Sequence, residues 1–166
     1  MIQTKNLHMD AFRQLKKSLD LYKIIEYGLG DISTVEFLNY PEIALLSFET
    51  SLEWYKYIYP KVLQHGQRWN HKINTDERAL ADELLQYNHN TCDCVLVDGI
   101  TQQGRIWTLE AGLQTDIPIF IIHDTEYDIY NTTIQKFQYA YKLNYALPNA
   151  TIVSNSINIA MIMGIK

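Results

Sequence analysis

Acidic and titratable side chains stand at four points of the sequence, each where an apolar segment gives way to a polar turn. In chain order they are Glu26 with Gly28, Gly30 and Asp31, then Glu49, then Asp98, and finally His123 with Asp124. Carboxylates accept hydrogen bonds and attract cations, and a histidine titrates close to neutral pH. One acidic residue after a strand is usually a turn former. Four such positions favour a site that binds a cationic ligand and moves protons.

The segments around these residues alternate between strand and helix patterns. The predicted strands are 23–27, 43–48, 68–74, 92–97, 117–122 and 150–153. The predicted helices are 9–21, 33–38, 51–65, 76–87 (capped by Asn74 or Thr75), 105–113 and 131–143. This alternation indicates an α/β fold of the Rossmann-like, doubly wound type: a mostly parallel sheet with helices on both faces. Ligands bind outside the carboxyl ends of such strands, where the titratable residues fall.

Composition limits the kind of protein. The 166 residues, 47% of them hydrophobic, fit one domain with a sizeable core. Lys and Arg number 14 against 19 Asp and Glu, and the net charge of -5 disfavours nucleic acid as a partner. Cys92 and Cys94 are too close for an ordinary disulfide and too few for a zinc cage, which indicates buried packing residues and a reducing compartment. With no signal peptide or membrane-spanning run, we expect a soluble, cytoplasmic protein.

The glycine turn after the first strand does not match two common phosphate-binding motifs. Gly28 and Gly30 let the backbone approach a ligand closely. The dinucleotide fingerprint requires a third glycine at position 33, which is serine, and no Gly-Lys-Ser/Thr follows as in a P-loop. Glu26 before the turn would repel a pyrophosphate, so the turn suits a ligand that bears a positive charge.

The segment from Glu26 to Thr34, with its acidic residue, Gly-x-Gly and hydroxylated residues, resembles the first motif of class I S-adenosylmethionine-dependent methyltransferases. Further matches in chain order are Glu49, Trp54-Tyr55, Asp98-Gly99, Arg105 and His123-Asp124. They are similar to a subgroup that methylates hydroxyls of small molecules and glycans. The resemblance covers residues 20–155 and implies a minimal cofactor-binding core.

The resemblance implies S-adenosylmethionine as the cofactor. Its binding residues would be Glu26, Gly28, Gly30, Asp31, Ser33, Thr34, Glu49 and Asp98. Glu49 would accept hydrogen bonds from the ribose hydroxyls, and Asp98 would lie beside the reacting centre. His123 is a candidate general base, with Asp98 and Asp124 as catalytic neighbours. Arg105 would bind an acidic group on the acceptor or cap its helix, and the oxygens of Asp98 and Asp124 are suited to Mg²⁺ or Mn²⁺.

The chain is short for this family. We expect a single domain over 1–166, divided into an N-terminal helix (1–21), a cofactor-binding core (22–155) and a tail (156–166). Little remains after the last predicted strand, so we expect the antiparallel hairpin that usually ends such sheets to be incomplete. Substrate selection would then fall to short loops, to the first helix or to a second copy in a homo-oligomer. The aromatic residues Trp54, Tyr55, Tyr57 and Tyr59 are expected to pack rather than to bind a ligand.

The acceptor is predicted only by class. No Asn/Asp-Pro-Pro-aromatic or Pro-Cys motif for base methylation is present, which favours a hydroxyl of a sugar or small metabolite. Two alternatives stay open. Residues 95–104 faintly resemble the pyrophosphate-sugar loop of phosphoribosyltransferases, and a non-catalytic Rossmann-like binding domain would share the short length and missing glycine.

Overall fold

A computed structural model describes residues 6–99 and 101–164 of the chain. The strands are β1 (Lys23–Tyr27), β2 (Ala44–Glu49), β3 (Trp69–Ile73), β4 (Cys94–Val97), β5 (Ile119–His123), β6 (Tyr139–Leu143) and β7 (Ala150–Ser154). The α-helices are α1 (Leu7–Lys16), α2 (Ser33–Asn39), α3 (Leu52–Val62), α4 (Glu77–Glu83), α5 (Gln102–Gly112), α6 (Asn131–Ile134) and α7 (Ile159–Ile162). The predicted N-terminal segment 1–21 and tail 156–166 are described only in part, because residues 1–5 and 165–166 lie outside the described residues, as does Ile100.

The strands form one seven-stranded sheet in the order β3-β2-β1-β4-β5-β7-β6. β1 to β5 are mutually parallel, and β7 runs antiparallel to both β5 and β6. The strand order reverses between β1 and β4, where Tyr27 pairs with Val97. The carboxyl ends of these two strands therefore meet at the topological switch point, the usual ligand position of doubly wound sheets. The predicted fold class is confirmed.

Helices cover both faces of the sheet, because each central strand is apolar on both sides. On one face, residues such as Leu96 and Ile121 pack against α1, α2, α3 and α7. On the other face, Val95, Val97 and Phe120 pack against α4 and α5. Cys94 belongs to the first core, and both it and Cys92 are buried and free of disulfides, as predicted.

The helix predicted over 131–143 is wrong. Only α6 is helical there, and β6 follows it and pairs along its whole length with β7. In β6 the half-buried Tyr139 and Tyr141 alternate with the exposed Ala140 and Lys142, a two-residue period that fits a strand with one covered face. Tyrosine also favours strands. The terminal antiparallel hairpin is consequently present, contrary to the expectation that it would be incomplete.

Two smaller expectations also differ from the structure. α1 ends at Lys16 rather than at residue 21, and α4 is capped by Asp76 instead of Asn74 or Thr75. The Asp76 carboxylate accepts a 3.0 Å hydrogen bond from the backbone N–H of Ala79. No helix among the described residues is long and apolar enough to span a membrane.

Candidate active site at the switch point

The turn between β1 and α2 runs across the end of β4. Gly28 adopts φ +88°, and its N–H donates to the carbonyl of Phe48 at 2.9 Å. A Cβ atom at this position would lie 2.1 Å from the carbonyl oxygen of Asp98. Both the dihedral angle and the contact exclude any side chain. Gly28 therefore fixes how closely the turn approaches Asp98.

Glu26 lies beneath this turn. It is fully buried, and its carboxylate accepts hydrogen bonds from Ser33 Oγ at 2.5 Å, Thr34 Oγ1 at 2.7 Å and Ser47 Oγ at 3.0 Å. Thr34 Oγ1 in turn accepts from the backbone N–H of Gly30. These side chains hold the turn from inside, so Glu26, Ser33 and Thr34 shape the predicted cofactor site without facing it. Asp31, by contrast, is exposed.

Burial raises the pKa of the Glu26 carboxyl to about 7, although the three hydroxyl hydrogen bonds oppose the shift. Between its ordinary pKa of 4.5 and about 7, the folded protein binds a proton that the unfolded chain has released. The free energy of unfolding should therefore fall across this window, by about 3 kcal/mol at roughly 1.4 kcal/mol per pKa unit, and level off above it.

Glu26→Gln should remove this contribution, because an amide does not titrate. Urea denaturation of both proteins at a series of pH values measures it. The other titrating groups are common to both proteins, so the difference in unfolding free energy should move in favour of the Glu26→Gln variant as the pH rises. Parallel stability curves would show that Glu26 does not hold its proton in the folded state.

Glu49 ends β2 and is also buried. Its Oε1 accepts from the backbone N–H groups of Thr50 and Ser51, both at 2.7 Å, and its Oε2 accepts from Leu29 N at 3.0 Å. A carboxylate has about four acceptor positions, so one on Oε2 is left for a ligand. Trp54 donates its indole N–H to the Leu29 carbonyl and ties α3 to the glycine turn, a local packing role.

Four charged side chains meet beyond the ends of β4 and β5: Asp98, Arg105, His123 and Asp124, here called the charge cluster. His123 Nδ1 lies 2.9 Å from Asp98 Oδ1 and 3.4 Å from Asp124 Oδ1. The Arg105 guanidinium contacts Asp124 Oδ2 at 2.8 Å and Asp98 Oδ1 at 3.3 Å. Asp124 adopts φ +56°, a left-handed conformation that is uncommon outside glycine and often marks functional sites.

The charge cluster favours the protonated form of His123. Burial lowers its pKa, but the hydrogen bond to Asp98 and the charges of Asp98 and Asp124 outweigh burial, so the pKa is raised. Nδ1 is engaged by Asp98, and Nε2 is buried with no hydrogen-bond partner among the described residues. No ring nitrogen of His123 is therefore both accessible and free, which argues against its direct contact with an acceptor.

Arg105 is likewise occupied. Its Nε donates to the Gly99 carbonyl at 2.7 Å, and its side chain is 10% exposed. Thr101, not Arg105, caps α5, through a 3.0 Å hydrogen bond from Gly104 N. Arg105 thus neutralises the two carboxylates and leaves little of its own surface for an acceptor.

The predicted metal role can be tested on this geometry. One ligand atom each from Asp98, His123 and Asp124 lie within 4.8 Å of one another, a spacing that suits a metal ion. The same carboxylates, however, bind Arg105 and a histidine with a raised pKa. A divalent cation would have to displace both positive charges. The cluster therefore does not fit a resident Mg²⁺ or Mn²⁺ ion.

A small, open pocket adjoins the charge cluster at the switch point. Its lining residues include Gly28, Glu49, Gly99, Tyr27, Phe48 and Leu80. A Cβ at Gly99 would meet only Arg105 Cγ at 3.9 Å, an ordinary contact. The fold itself does not require glycine there, so the missing side chain leaves space for a ligand. Apolar walls with a few polar groups, here the carboxylates of Glu49 and Glu77, are typical of sites for small ligands.

Sequence reasoning missed two residues at this site. His8 of α1 lies against His123, with the ring centroids 4.2 Å apart. Its signal was its spacing, four residues before the buried Phe12, which places it on the apolar face of the helix. Glu77 of α4 lines the pocket and bonds both the N–H and the hydroxyl of Thr101.

The fold is shared with solved structures of low sequence identity. An rRNA methylase from Streptococcus thermophilus aligns with a TM-score of 0.61 and 13% identity, over 93% of this chain and 98% of that one. A candidate caffeoyl-CoA O-methyltransferase from Staphylococcus aureus aligns with a TM-score of 0.66 and 11% identity, over 92% of this chain and 85% of that one. A candidate tRNA (m1A22) methyltransferase from Streptococcus pneumoniae was solved in complex with S-adenosyl-L-methionine. It aligns with a TM-score of 0.61 and 10% identity, over 94% of this chain and 75% of that one.

The sequence itself matches no protein-family model and no curated protein. At identities of 10–13%, the structural likeness shows the fold, a Rossmann-like sheet of the kind found in methyltransferases.

Proposed function

We propose that this protein transfers a methyl group from S-adenosylmethionine to a hydroxyl acceptor. The observation that carries the proposal is the switch point, where the Gly28 turn, the pocket beside Glu49 and the charge cluster adjoin one another. The fold that the chain shares with solved methyltransferases is consistent with it.

The residues present fit the adenosine part of this cofactor. Tyr27, Phe48 and Leu80 give the pocket apolar walls, and Gly99 leaves room beside them. The remaining acceptor position of Glu49 is available for one ribose hydroxyl. We therefore assign Glu49 a cofactor-binding role, with Gly28, Gly30 and Asp31 forming the turn beside the methionine part.

Bound S-adenosylmethionine supplies an electrophilic methyl group on a cationic sulfur. Positioning the acceptor in line with that methyl accounts for much of the rate in such reactions. Asp98 is the group best placed to orient the hydroxyl and accept its proton, because its Oδ2 has no hydrogen-bond partner among the described residues and its side chain is 22% exposed. His123 and Arg105 act through Asp98 by fixing its Oδ1, and Asp124 completes their charge balance.

The acceptor we favour is a sugar or small-metabolite hydroxyl. The chain is acidic, and the cations of the charge cluster are already paired, which disfavours a polyphosphate backbone at this site. Of the solved structures compared above, one is an rRNA methylase, one a candidate tRNA methyltransferase and one a candidate O-methyltransferase, so RNA remains the acceptor to compare in the assay.

The decisive measurement is ligand-induced stabilisation. S-adenosylmethionine or S-adenosylhomocysteine at about 100 times its dissociation constant should raise the free energy of unfolding by about 2.7 kcal/mol, which thermal denaturation readily detects. Gly99→Ala should fold with unchanged stability but bind more weakly, since Gly99 lines the pocket and the added methyl group takes up space beside it. Absence of any shift with either ligand would rule out the proposed cofactor.

Activity is measured next, as transfer of labelled methyl from S-adenosylmethionine to a panel of sugars, phenols and RNA. Asp98→Asn serves as the inactive control, because an amide does not accept the hydroxyl proton. Ligand binding without transfer to any class would favour the non-catalytic binding domain.

The phosphoribosyltransferase alternative receives no support from the site. The Thr101 hydroxyl, which such a loop would offer to a phosphate, is hydrogen-bonded to the Glu77 carboxylate. That negative charge would also repel a pyrophosphate. A shift with phosphoribosyl pyrophosphate and none with the adenosyl ligands would nevertheless restore this alternative.

A further inference from the structure

The N-terminal helix α1 places a second histidine against the charge cluster. His8 is 4% exposed, and its ring contacts that of His123 edge to face, with an interplanar angle of 69°. α1 packs against β5, the strand that ends in His123. The contact thus joins the first helix of the chain to the candidate active site.

Both rings of this contact carry a buried nitrogen without a partner. Among the described residues, neither His8 Nδ1 nor His123 Nε2 has a hydrogen bond, although nearly all buried polar groups in folded proteins do. An unsatisfied buried donor or acceptor costs about 1–3 kcal/mol. A hydrogen bond between the two rings would satisfy both atoms at once.

The protonation states of the two rings are complementary. His123 already donates its Nδ1–H to Asp98, so a charged His123 has Nε2–H as its second donor. Burial, and then repulsion by His123, lower the pKa of His8 to about 4, so His8 is neutral and has one acceptor nitrogen. The other charged groups that face His8 are Asp98, Asp124 and Arg13.

We propose that His8 is a positioning residue of the charge cluster, whose Nδ1 accepts a hydrogen bond from the Nε2–H of His123. The bond requires the rings to leave the edge-to-face contact and to turn His123 Nε2 toward His8 Nδ1. His123 is then fixed at both nitrogens, between Asp98 on one side and His8 on the other. The effect of His8 on methyl transfer rests on the proposed function, because His8 acts by holding His123 and, through it, Asp98 in place.

Nitrogen NMR of the histidine-labelled wild-type protein tests the bond directly. At about pH 6, where a histidine of raised pKa is charged, we expect a through-hydrogen-bond coupling between His123 Nε2 and His8 Nδ1. We also expect the Nε2 proton of His123 to exchange slowly with water. Absence of the coupling, together with fast exchange of that proton, would overturn the proposal whether or not variants of His8 fold.

Two variants separate the hydrogen bond from packing. In His8→Asn the amide oxygen replaces Nδ1 as acceptor, whereas His8→Leu fills similar space without one. The slowly exchanging His123 proton should persist in His8→Asn and disappear in His8→Leu. If both variants keep it, or both lose it while folded, His8 acts only by packing.

The kinetic readout distinguishes this proposal from the proposed function. His8→Leu should lower kcat for methyl transfer by about 10-fold, the equivalent of one lost hydrogen bond, with the dissociation constant of S-adenosylmethionine unchanged. His8→Asn should restore most of the rate. If the wild-type protein binds no adenosyl ligand but the NMR coupling is present, the proposed function fails and the His8–His123 bond stands.

Discussion

Gly28→Ala is expected to destabilise the protein by about 2–5 kcal/mol. Overpacking typically costs about 1–3 kcal/mol, and a left-handed conformation costs alanine about 1–2 kcal/mol more. Both apply here, because Gly28 has φ +88° and its added Cβ would lie 2.1 Å from the Asp98 carbonyl oxygen. Urea denaturation measures the loss. Binding of S-adenosylmethionine should weaken as well, since the turn must move away from Asp98 to make room.

Gly66→Ala is the matched control. Gly66 has φ −52°, and a Cβ there would lie 3.4 Å from the Leu63 carbonyl oxygen, an ordinary contact. Gly66 is exposed and is not among the residues that line the pocket, so Gly66→Ala should change the free energy of unfolding by less than about 1 kcal/mol. Equal stabilities of the two variants would mean that the Gly28 turn is not held in the described conformation.

Arg105→Met is expected to lower the free energy of unfolding by about 3 kcal/mol. It removes the positive charge that pairs with both Asp98 and Asp124, while keeping much of the side-chain volume. Breaking a buried ion pair typically costs about 3–5 kcal/mol, and the partial exposure of the two carboxylates places this case at the low end. The hydrogen bond to the Gly99 carbonyl is lost as well.

Arg78→Met provides the comparison for this second prediction. Arg78 pairs with Asp82 at 3.1 Å, but both side chains are nearly half exposed. Exposed pairs contribute about 0.2–1 kcal/mol, so this variant should lose no more than that. Urea denaturation of the two variants checks the contrast. An Arg105→Met protein as stable as Arg78→Met would show that the charge cluster is open to solvent and not preorganised.

The gathering of Asp98, His123 and Asp124 was predictable from the sequence because it depends on a general property of parallel sheets, whereas the pairing of Arg105 with the two carboxylates was not. Asp98 and His123 each come at the end of a continuous apolar run, β4 and β5, and adjacent parallel strands bring their carboxyl ends to one edge. The glycine turn and Glu49 are placed in the same way by β1 and β2. Strand ends are short-range features that hydrophobic patterning locates well.

The error at 131–143 has a different origin. Its tyrosines and polar residues satisfy a helical period about as well as a two-residue period, so local pattern does not separate the two. The partner strand β7 decides the matter by pairing with Tyr139–Leu143 over its full length. Helix and strand were thus distinguished by a contact between segments and not by propensity.

The direction in which side chains point was also not predictable. Glu26, Ser33 and Thr34 occupy the motif positions expected at a cofactor, yet their oxygens bond one another inside the fold. His123 was expected to act as a general base, but its Nδ1 is bonded to Asp98 and its Nε2 is buried. His8 lies 115 positions earlier in the chain and meets His123 only because α1 packs against β5.

The sequence by itself therefore determined the α/β fold class, the edge of the sheet at which the polar residues gather and the chemical types present there. These depend on the order of the apolar segments and on the polar residues that come directly after each segment. The tertiary structure alone decided which carboxylate is buried, which is paired with Arg105 and which keeps a free oxygen. Burial and hydrogen-bond partners come from residues distant in the chain, and those contacts set the charge and the reach of every group in the site.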